Sequence, residues 1–324
     1  MVRPMATVGY HASHEQIAPS VLLKAVHHAA AAGFQTAMCS DHFAPWSERQ
    51  GQSGYAWTWL GAALATTTLP FGVVTAPGQR YHPVITAQAI ATIGEMFPGR
   101  FWAALGSGEA SNEHVTGDRW PDKPTRDARL LECVAVMRAL LAGEEVTHDG
   151  LIRVDRARLW TLPQRVPHLF GAAVSPETAA LVGSWADGLI TINQPVATLR
   201  KVLRRFRAAG GEGKPVHVQV HLCWDPDEGR ALDIAYDQWR SNVFSPELNW
   251  NLEFPAQFDA AAKYVRHEDV RSSVLVSADL GEITATLQGI VELGVDGLAL
   301  HHVGQEQERF IDAFGAKVLP ELAP

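Results

Sequence analysis

One short segment indicates the architecture of this chain: Gly33-Phe34-Gln35-Thr36-Ala37-Met38-Cys39-Ser40-Asp41-His42-Phe43-Ala44-Pro45-Trp46. Its first half is short and apolar and follows a helix-breaking glycine, which is typical of a buried parallel strand. An acid, an imidazole and an indole follow at the carboxyl end of that strand, where ligands of parallel sheets and barrels bind because loops and helix N-termini converge there. The position allows two interpretations: an active site, or an ordinary strand end at which Asp41 caps the next element and Trp46 fills the core.

Segments typical of strands and of helices alternate along the whole chain. Eight short apolar segments are predicted as strands, at residues 7–11, 33–39, 71–75, 101–106, 168–173, 188–192, 216–222 and 297–302. Parallel strands need crossover helices, and closing the sheet removes both of its edges. The pattern therefore predicts an α/β protein with a (β/α)8 TIM barrel, and a doubly wound open sheet is the alternative.

The predicted organisation is a single domain over residues 1–324 with three insertions, at about 107–124, 143–160 and 238–270. The second insertion contains Asp149-Gly150 between alternating flanks, which is typical of a β-hairpin. The third is aromatic, rich in Asn and Pro, and longer than a normal connection. We therefore expect it to form a lid or a subunit contact.

Composition narrows the class of protein. Of the 324 residues, 47% are hydrophobic and 19% are charged, which fits a compact globular enzyme. The net charge is −8 and the basic residues form no long run, so the expected partner is a small molecule, not a nucleic acid or a membrane. The start, residues 1–7, lacks a signal pattern and no apolar run reaches the ~18 residues that span a bilayer, so we expect a soluble, cytoplasmic protein. Cys39, Cys133 and Cys223 lie far apart and are interpreted as reduced core thiols.

Other strand ends supply further candidates. The segment Gly106-Ser107-Gly108-Glu109-Ala110-Ser111-Asn112-Glu113 combines two carboxylates with glycines that permit close approach to a flat ring or a phosphate, although Gly-Ser-Gly is also an ordinary loop. Ser175-Pro176-Glu177 is typical of a helix start, whose N–H groups could hold a phosphate or simply be capped. No metal is expected, because neighbours such as His301 and His302 point to opposite strand faces. Neither a Gly-x-Ser-x-Gly nucleophile nor a Rossmann Gly-x-Gly-x-x-Gly motif occurs, which disfavours a serine hydrolase and a nicotinamide cofactor.

Four motifs occur in order along the chain: Gly9-Tyr10-His11-Ala12-Ser13-His14-Glu15-Gln16, Ser40-Asp41-His42-Phe43-x-Pro45-Trp46, Arg80-Tyr81-His82-Pro83 and Gly106-Ser107-Gly108-Glu109-Ala110-x-Asn112-Glu113. Together they resemble the bacterial luciferase-like superfamily, and within it the branch that contains glucose-6-phosphate dehydrogenases using coenzyme F420, a deazaflavin. The resemblance runs nearly end to end. It implies a TIM barrel with an inserted region and a flavin or deazaflavin lying across the strand ends.

The resemblance implies a role for each matching residue. His42 would be the acid or base at the substrate hydroxyl or carbonyl, Glu109 would be the second proton-transfer group, and Trp46 would pack over the developing charge. Val73 and Val74 match the place of a non-prolyl cis peptide behind the ring. The implied cofactor-binding residues are Asp41, Val73, Val74, Ala76, Ser107, Gly108, Asn112, Val174, Ser175 and Thr178.

The chain departs from that branch at the clamp of lysines and an arginine that holds the sugar phosphate. Thr191-Ile192-Asn193-Gln194 contains no lysine, the segment around Asp259 also lacks the expected one, and Arg271 is left as the candidate arginine. Without these cations a phosphorylated sugar loses its charge-assisted hydrogen bonds, so glucose 6-phosphate is not the expected substrate. Val73 and Ala76 stand where the family carries hydroxyl residues near the ring, which leaves F420 and FMN equally favoured as cofactor.

Three functions remain open from the sequence. The first is an oxidoreductase that transfers a hydride between bound F420 or FMN and a small alcohol, carbonyl or alkene. The second is an FMN-dependent monooxygenase supplied by a separate flavin reductase, and the third is a non-catalytic flavin-binding protein. The combination of acid and base groups favours the first two, because a carrier needs neither. The superfamily also implies a homodimer.

Overall fold

The computed structural model describes residues 6–322. In chain order, its strands are β1 (Thr7–Ala12), β2 (Thr36–Ser40), β3 (Phe71–Thr75), β4 (Phe101–Leu105), β5 (Val146–Asp149), β6 (Arg153–Ala157), β7 (His168–Ala172), β8 (Gly188–Ile192), β9 (Val216–Trp224), β10 (Leu275–Ser277) and β11 (Gly297–His302). The α-helices are α1 (Pro19–Ala31), α2 (Ala56–Thr66), α3 (Pro83–Met96), α4 (Ala110–Glu113), α5 (Lys123–Leu141), α6 (Pro176–Gly183), α7 (Val196–Phe206), α8 (Glu228–Trp239), α9 (Pro246–Asn249), α10 (Pro255–Ala261), α11 (Leu280–Val291), α12 (Glu308–Lys317) and α13 (Leu319–Leu322).

Eight parallel strands close into a barrel, which confirms the predicted (β/α)8 fold. The strand order is β9, β11, β1, β2, β3, β4, β7 and β8, and the ring closes because β8 pairs back onto β9. Helices cover the outside, and the large core cluster lies between them and the barrel wall. The open-sheet alternative is therefore wrong.

The barrel interior is filled by alternate residues of each strand. Trp102 on β4 stacks on Phe170 of β7, with ring centroids 4.9 Å apart. Gly72 on β3 makes room for this pair, because a Cβ atom there would lie 2.0 Å from the Trp102 ring. The same interior cluster also includes Met38 and Ile190. Side chains rather than a pore thus occupy the centre, as expected for this fold.

The predicted hairpin insertion forms β5 and β6, a separate antiparallel pair outside the barrel sheet. The insertion at 238–270 is largely helical and includes α9 and α10. We refer to residues 240–272 as the lid segment. Two elements next to it were not predicted: α8, and the short strand β10, which pairs with the carboxyl-terminal residues of β9, Leu222 to Trp224.

The lid segment is attached to two loops at the barrel mouth. The backbone N–H of Ala110 donates to the Trp250 carbonyl oxygen at 3.0 Å. On the other side, Arg49 contacts Asp259, with 2.5 Å between Nη2 and Oδ1. The lid segment therefore bridges the loops that follow β2 and β4.

Across the described part of the chain, each helix is too short or too polar to span a membrane. The expectation that the chain carries no leader depends on residues 1–7, of which 1–5 lie outside the described residues.

Candidate active site

A cavity of about 500 Å³ opens at the carboxyl ends of the barrel strands. Its lining brings together the polar residues that sequence analysis placed at separate strand ends, including Asp41 and His42 after β2 and Glu109 after β4. The lid segment contributes Trp250 to the same wall. The predicted convergence of strand-end residues is therefore what the structure shows.

His42 lies between two carboxylates at the centre of this lining. Its Nδ1 is 2.9 Å from Glu15 Oε1, and its Nε2 is 3.9 Å from Glu109 Oε2. The Trp46 ring meets the imidazole edge to face, with centroids 5.2 Å apart. Trp46 in turn packs against Phe258 of the lid segment at 5.4 Å. His42, Glu109 and Trp46 thus lie together as predicted, although their catalytic roles stay predictions.

Glu15 was not among the predicted site residues, although it lies in one of the quoted motifs. It follows β1, is 3% exposed, and accepts a hydrogen bond from Ser13 at 2.8 Å. A sequence signal was present: the loop after β1 enters the same barrel mouth, and a carboxylate buried there needs a partner. His42 is that partner.

Burial and the two carboxylates act in opposite directions on the pKa of His42. Burial lowers it, but the Glu15 charge and, more weakly, the Glu109 charge outweigh that effect and raise the pKa to about 9. For Glu15, burial raises the pKa and the His42 cation lowers it more, so the net direction is down. For Glu109, burial dominates and the pKa is raised. At neutral pH the site therefore holds a His42 cation and Glu15 carboxylate.

Asp41 is a hydrogen-bond centre behind the cavity wall. Its Oδ2 accepts from Trp57 Nε1 at 3.1 Å and from Thr75 Oγ1 at 2.9 Å, while Oδ1 accepts from Tyr81 at 3.1 Å. Arg80 donates to the Asp41 backbone oxygen at 2.6 Å. The Asp41 side chain is 0% exposed. Its hydrogen bonds link the end of β2 to β3 and α2. Direct contact with a cofactor stays a prediction.

Most of the predicted cofactor-binding residues line the cavity. Those with a place in its wall are Asp41, Val74, Ala76, Ser107, Gly108, Asn112, Val174 and Thr178. Val73 instead points into the core between barrel and helices and is 0% exposed. The Ser175 side chain caps α6 by accepting from the Thr178 N–H at 3.2 Å. The Val73 side chain therefore faces away from the cavity, and the Ser175 hydroxyl is already used in capping α6.

The expected cis peptide between Val73 and Val74 is wrong, since residues 6–322 contain no cis peptide bond. Both residues belong to β3 and keep an unbroken register with Ala103 and Ala104 of β4. The regular ladder satisfies the backbone there, so the segment adopts ordinary strand geometry.

Asn112 links the loops after β2 and β4. Its Oδ1 accepts from the Phe43 N–H at 2.8 Å, and its Nδ2 donates to Glu109 Oε2 at 3.2 Å. The amide therefore holds Glu109 on the His42 side of the cavity. Gly108 beside it has φ of +84°, where a Cβ atom would meet Glu113 at 3.1 Å. Glycine suits this approach between two loops.

Arg271 does not supply the arginine of a phosphate clamp. It contacts Glu228 at 2.8 Å and Glu268 at 3.1 Å and also donates to the Val276 carbonyl oxygen. It has no place in the cavity lining. The earlier assignment of Arg271 as candidate clamp residue is therefore wrong, because its guanidinium is committed to neighbouring carboxylates.

Strand β9 contributes two polar residues to the cavity wall. Gln219 and His221 occupy alternate positions that face the cavity, as does His301 on β11. The next residue, His302, faces outward and stacks on Phe310 with centroids 4.9 Å apart. The two-residue period of a strand could have identified the inward set. Within residues 6–322, no group of three or more His, Cys, Asp or Glu side chains is placed to hold a metal ion.

A closed (β/α)8 barrel with a histidine beside two carboxylates at its mouth is typical of enzymes that act on a small bound ligand. The family model described as luciferase-like monooxygenase matches residues 5–297, so the chain belongs to that family. The predicted family and fold are confirmed, and so is the broad class, a flavin- or deazaflavin-dependent oxidoreductase.

Similar proteins cover the whole chain. An F420-dependent glucose-6-phosphate dehydrogenase of Beutenbergia cavernae is 34% identical over 98% of this chain and 98% of its own length. The protein of the same name from Mycobacterium tuberculosis is 31% identical over 97% of both. Among solved structures, an F420-dependent secondary alcohol dehydrogenase in complex with an F420-acetone adduct aligns with a TM-score of 0.91 and 29% identity, covering 99% of this chain and 100% of that one. A long-chain alkane monooxygenase has the same fold at 13% identity and a TM-score of 0.75, covering 99% and 92%.

Proposed function

We propose that this protein is an F420-dependent oxidoreductase that transfers a hydride between F420 and a small alcohol or carbonyl compound. The observation that carries the proposal is the placement of His42 between Glu15 and Glu109 inside the mouth cavity. The similar proteins that are named as F420-dependent support the choice of cofactor.

The cavity offers surfaces that suit a flat ring with a phosphate-bearing tail. Val74, Ala172 and Ile190 form an apolar part of its wall. Within the described residues, the backbone N–H groups of Val174 and Ser175 have no hydrogen-bond partner, and they precede α6. Free N–H groups at a helix start are favourable for a phosphate. We infer that the ring lies on the apolar wall and the tail phosphate at the start of α6.

Bound F420 would supply the site that accepts or donates the hydride. The chain's own residues handle the proton. In the reductive direction, the His42 cation would donate its Nε2 proton to the carbonyl oxygen. In the oxidative direction, neutral His42 would take the hydroxyl proton. Glu15 keeps the imidazole oriented through Nδ1, and Trp46 excludes water from one side.

The test of the cofactor is a titration of the purified protein with F420 and with FMN, followed by absorbance. We expect F420 to bind at micromolar concentration or tighter and FMN to bind much more weakly. Tight FMN binding with oxygen-dependent turnover in the presence of a flavin reductase would support the monooxygenase instead. If neither cofactor binds, the proposal is wrong.

A further inference from the structure

Four polar side chains form a connected group along β9, β11 and the loop after β1. Gln219 Nε2 lies 3.1 Å from His221 Nε2 and 3.1 Å from His301 Nδ1. His301 Nε2 lies 2.9 Å from Gln16 Oε1. We call Gln16, Gln219, His221 and His301 the β9 polar group. Gln219, His221 and His301 line the cavity.

The position of each hydrogen in this group follows from one backbone carbonyl. Gln16 Nε2 lies 2.5 Å from the Val303 carbonyl oxygen, which can only accept, so the amide nitrogen of Gln16 must face it. The Gln16 oxygen therefore faces His301 Nε2, which must donate. Burial lowers the pKa of His301 well below its usual value. His301 is thus neutral and its Nδ1 is an acceptor.

The same reasoning extends to Gln219 and His221. Because His301 Nδ1 accepts, the Gln219 amide presents its NH2 group there and donates its other hydrogen to His221 Nε2. Burial lowers the pKa of His221 to about 3, so this ring is also neutral and carries its hydrogen on Nδ1. Within the described residues, neither Gln219 Oε1 nor His221 Nδ1 has a hydrogen-bond partner. The cavity therefore contains one uncommitted acceptor beside one uncommitted donor.

The cations of the cavity lining are already paired. Arg80 contacts Asp41 at 3.5 Å and Glu113 at 3.8 Å, and Lys123 is paired with Asp127. Among the described lining residues no other lysine or arginine occurs, and the His42 cation is paired with Glu15 at 2.9 Å. An anionic substrate would therefore lose its hydration without gaining a free cation.

We propose that Gln219 and His221 form a subsite for a second, uncharged polar group of the substrate, such as a hydroxyl or carboxamide. The substrates are then neutral compounds with at least two polar groups, one at His42 and one at this subsite. The inference rests on the proposed function for the hydride-transfer chemistry. It goes beyond that function by stating which second group of the substrate the cavity binds at Gln219 and His221.

The two proposed contact points of the substrate are oriented by consecutive residues. Glu15 orients His42, and Gln16 orients His301, which in turn fixes the Gln219 amide. A ligand that contacts both His42 and the Gln219–His221 pair is therefore held in one orientation relative to the proton donor. A hydrogen-bonding site of this kind discriminates against analogues that lack the matching group.

The test uses isothermal titration calorimetry on the protein saturated with F420. The probes are cyclohexanol, the 1,2-, 1,3- and 1,4-cyclohexanediols, and glucose 6-phosphate. We expect at least one diol to bind about 10-fold more tightly than cyclohexanol, since each net hydrogen bond contributes a few-fold in affinity. Glucose 6-phosphate should bind no more tightly than cyclohexanol.

Variants locate the effect. Gln219→Leu and His221→Phe should each remove most of the diol advantage, whereas His302→Phe, changed on the outward face of β11, should keep it. F420 affinity, measured in parallel, separates the two proposals. If the wild-type protein does not bind F420, the proposed function is wrong. Normal F420 binding with no diol advantage, or with glucose 6-phosphate preferred, overturns the subsite.

Discussion

His42 is the residue on which the proposed chemistry depends. We predict that His42→Ala lowers turnover by roughly 10²-fold or more, because the proton must then come from water. F420 affinity should change little, since the imidazole contacts Glu15, Glu109 and Trp46 rather than the apolar wall. Steady-state kinetics and a cofactor titration give the two readouts, with the exposed-helix variant His27→Ala as control. Unchanged turnover would remove His42 from the mechanism.

Glu15 determines the protonation of His42. Because the raised pKa of His42 is about 9, alcohol oxidation should accelerate as pH rises towards 9 and carbonyl reduction should slow. Glu15→Gln removes the charge that holds the proton, so the inflection should move to lower pH. Profiles of kcat/KM against pH for both proteins test this, and identical profiles would contradict it.

The same ion pair links stability to pH. A folded pKa above the unfolded value means that the pair stabilises the protein fully below about pH 6.5 and that this stability is lost as pH rises through about 9. The melting temperature of the wild type should therefore fall more over this alkaline range than that of Glu15→Gln.

At the scale of residues, the sequence predicted which side chains meet but not which partners hold each one in place. Asp41 and His42 were both expected in the cavity, and both are there. The three donors that meet the Asp41 carboxylate come from α2, from β3 and from the loop before α3, whereas Glu15, the partner of His42, comes from the loop after β1. Such partners depend on side-chain packing across the barrel, which spacing along one chain does not encode.

At the scale of elements, the lid segment is held by one charged contact on the β2 side. Arg49→Ala removes the pair with Asp259, and we predict faster hydrogen exchange over residues 246–262 and a KM raised several-fold, because Phe258 then supports Trp46 less firmly. Arg266→Ala is the matched control, since its pair with Asp269 lies within the lid segment itself. Equal exchange in the two variants would show that the Arg49 contact does not hold the lid segment.

The barrel strands were predictable because each is a short apolar run bounded by glycines or polar residues. β10 was not predictable, because three residues carry no periodic pattern. α8 was missed because it runs directly into the insertion at 238–270, where the regular alternation of strands and helices stops. The cis peptide expected at Val73 was also wrong, for a different reason. It was inferred from family resemblance, whereas the backbone geometry here follows the regular pairing of β3 with β4.

At the scale of the whole molecule, the closed barrel leaves little spare volume at its centre. We predict that Gly72→Ala lowers the free energy of unfolding by about 3 kcal/mol or more, because its Cβ would lie 2.0 Å from the Trp102 ring. Gly289→Ala in α11, where no atom beyond the adjoining residues and the backbone of that helix lies within 4 Å of the new methyl group, should instead raise it by about 0.5–1 kcal/mol. Urea unfolding curves measure both changes. An unchanged free energy of unfolding in Gly72→Ala would mean that the stacked Trp102 and Phe170 rings shift to accommodate the methyl group.

The cavity lining includes three indole rings, those of Trp46, Trp239 and Trp250. A conjugated ligand seated among them would take up their excitation energy, so the unlabelled protein carries its own optical reporter. Cofactor binding should dim the intrinsic emission, and release should restore it. Replacing each tryptophan by phenylalanine in turn would show which of the three rings is quenched by the ligand. If F420 leaves the emission unchanged, the ligand binds outside this cavity.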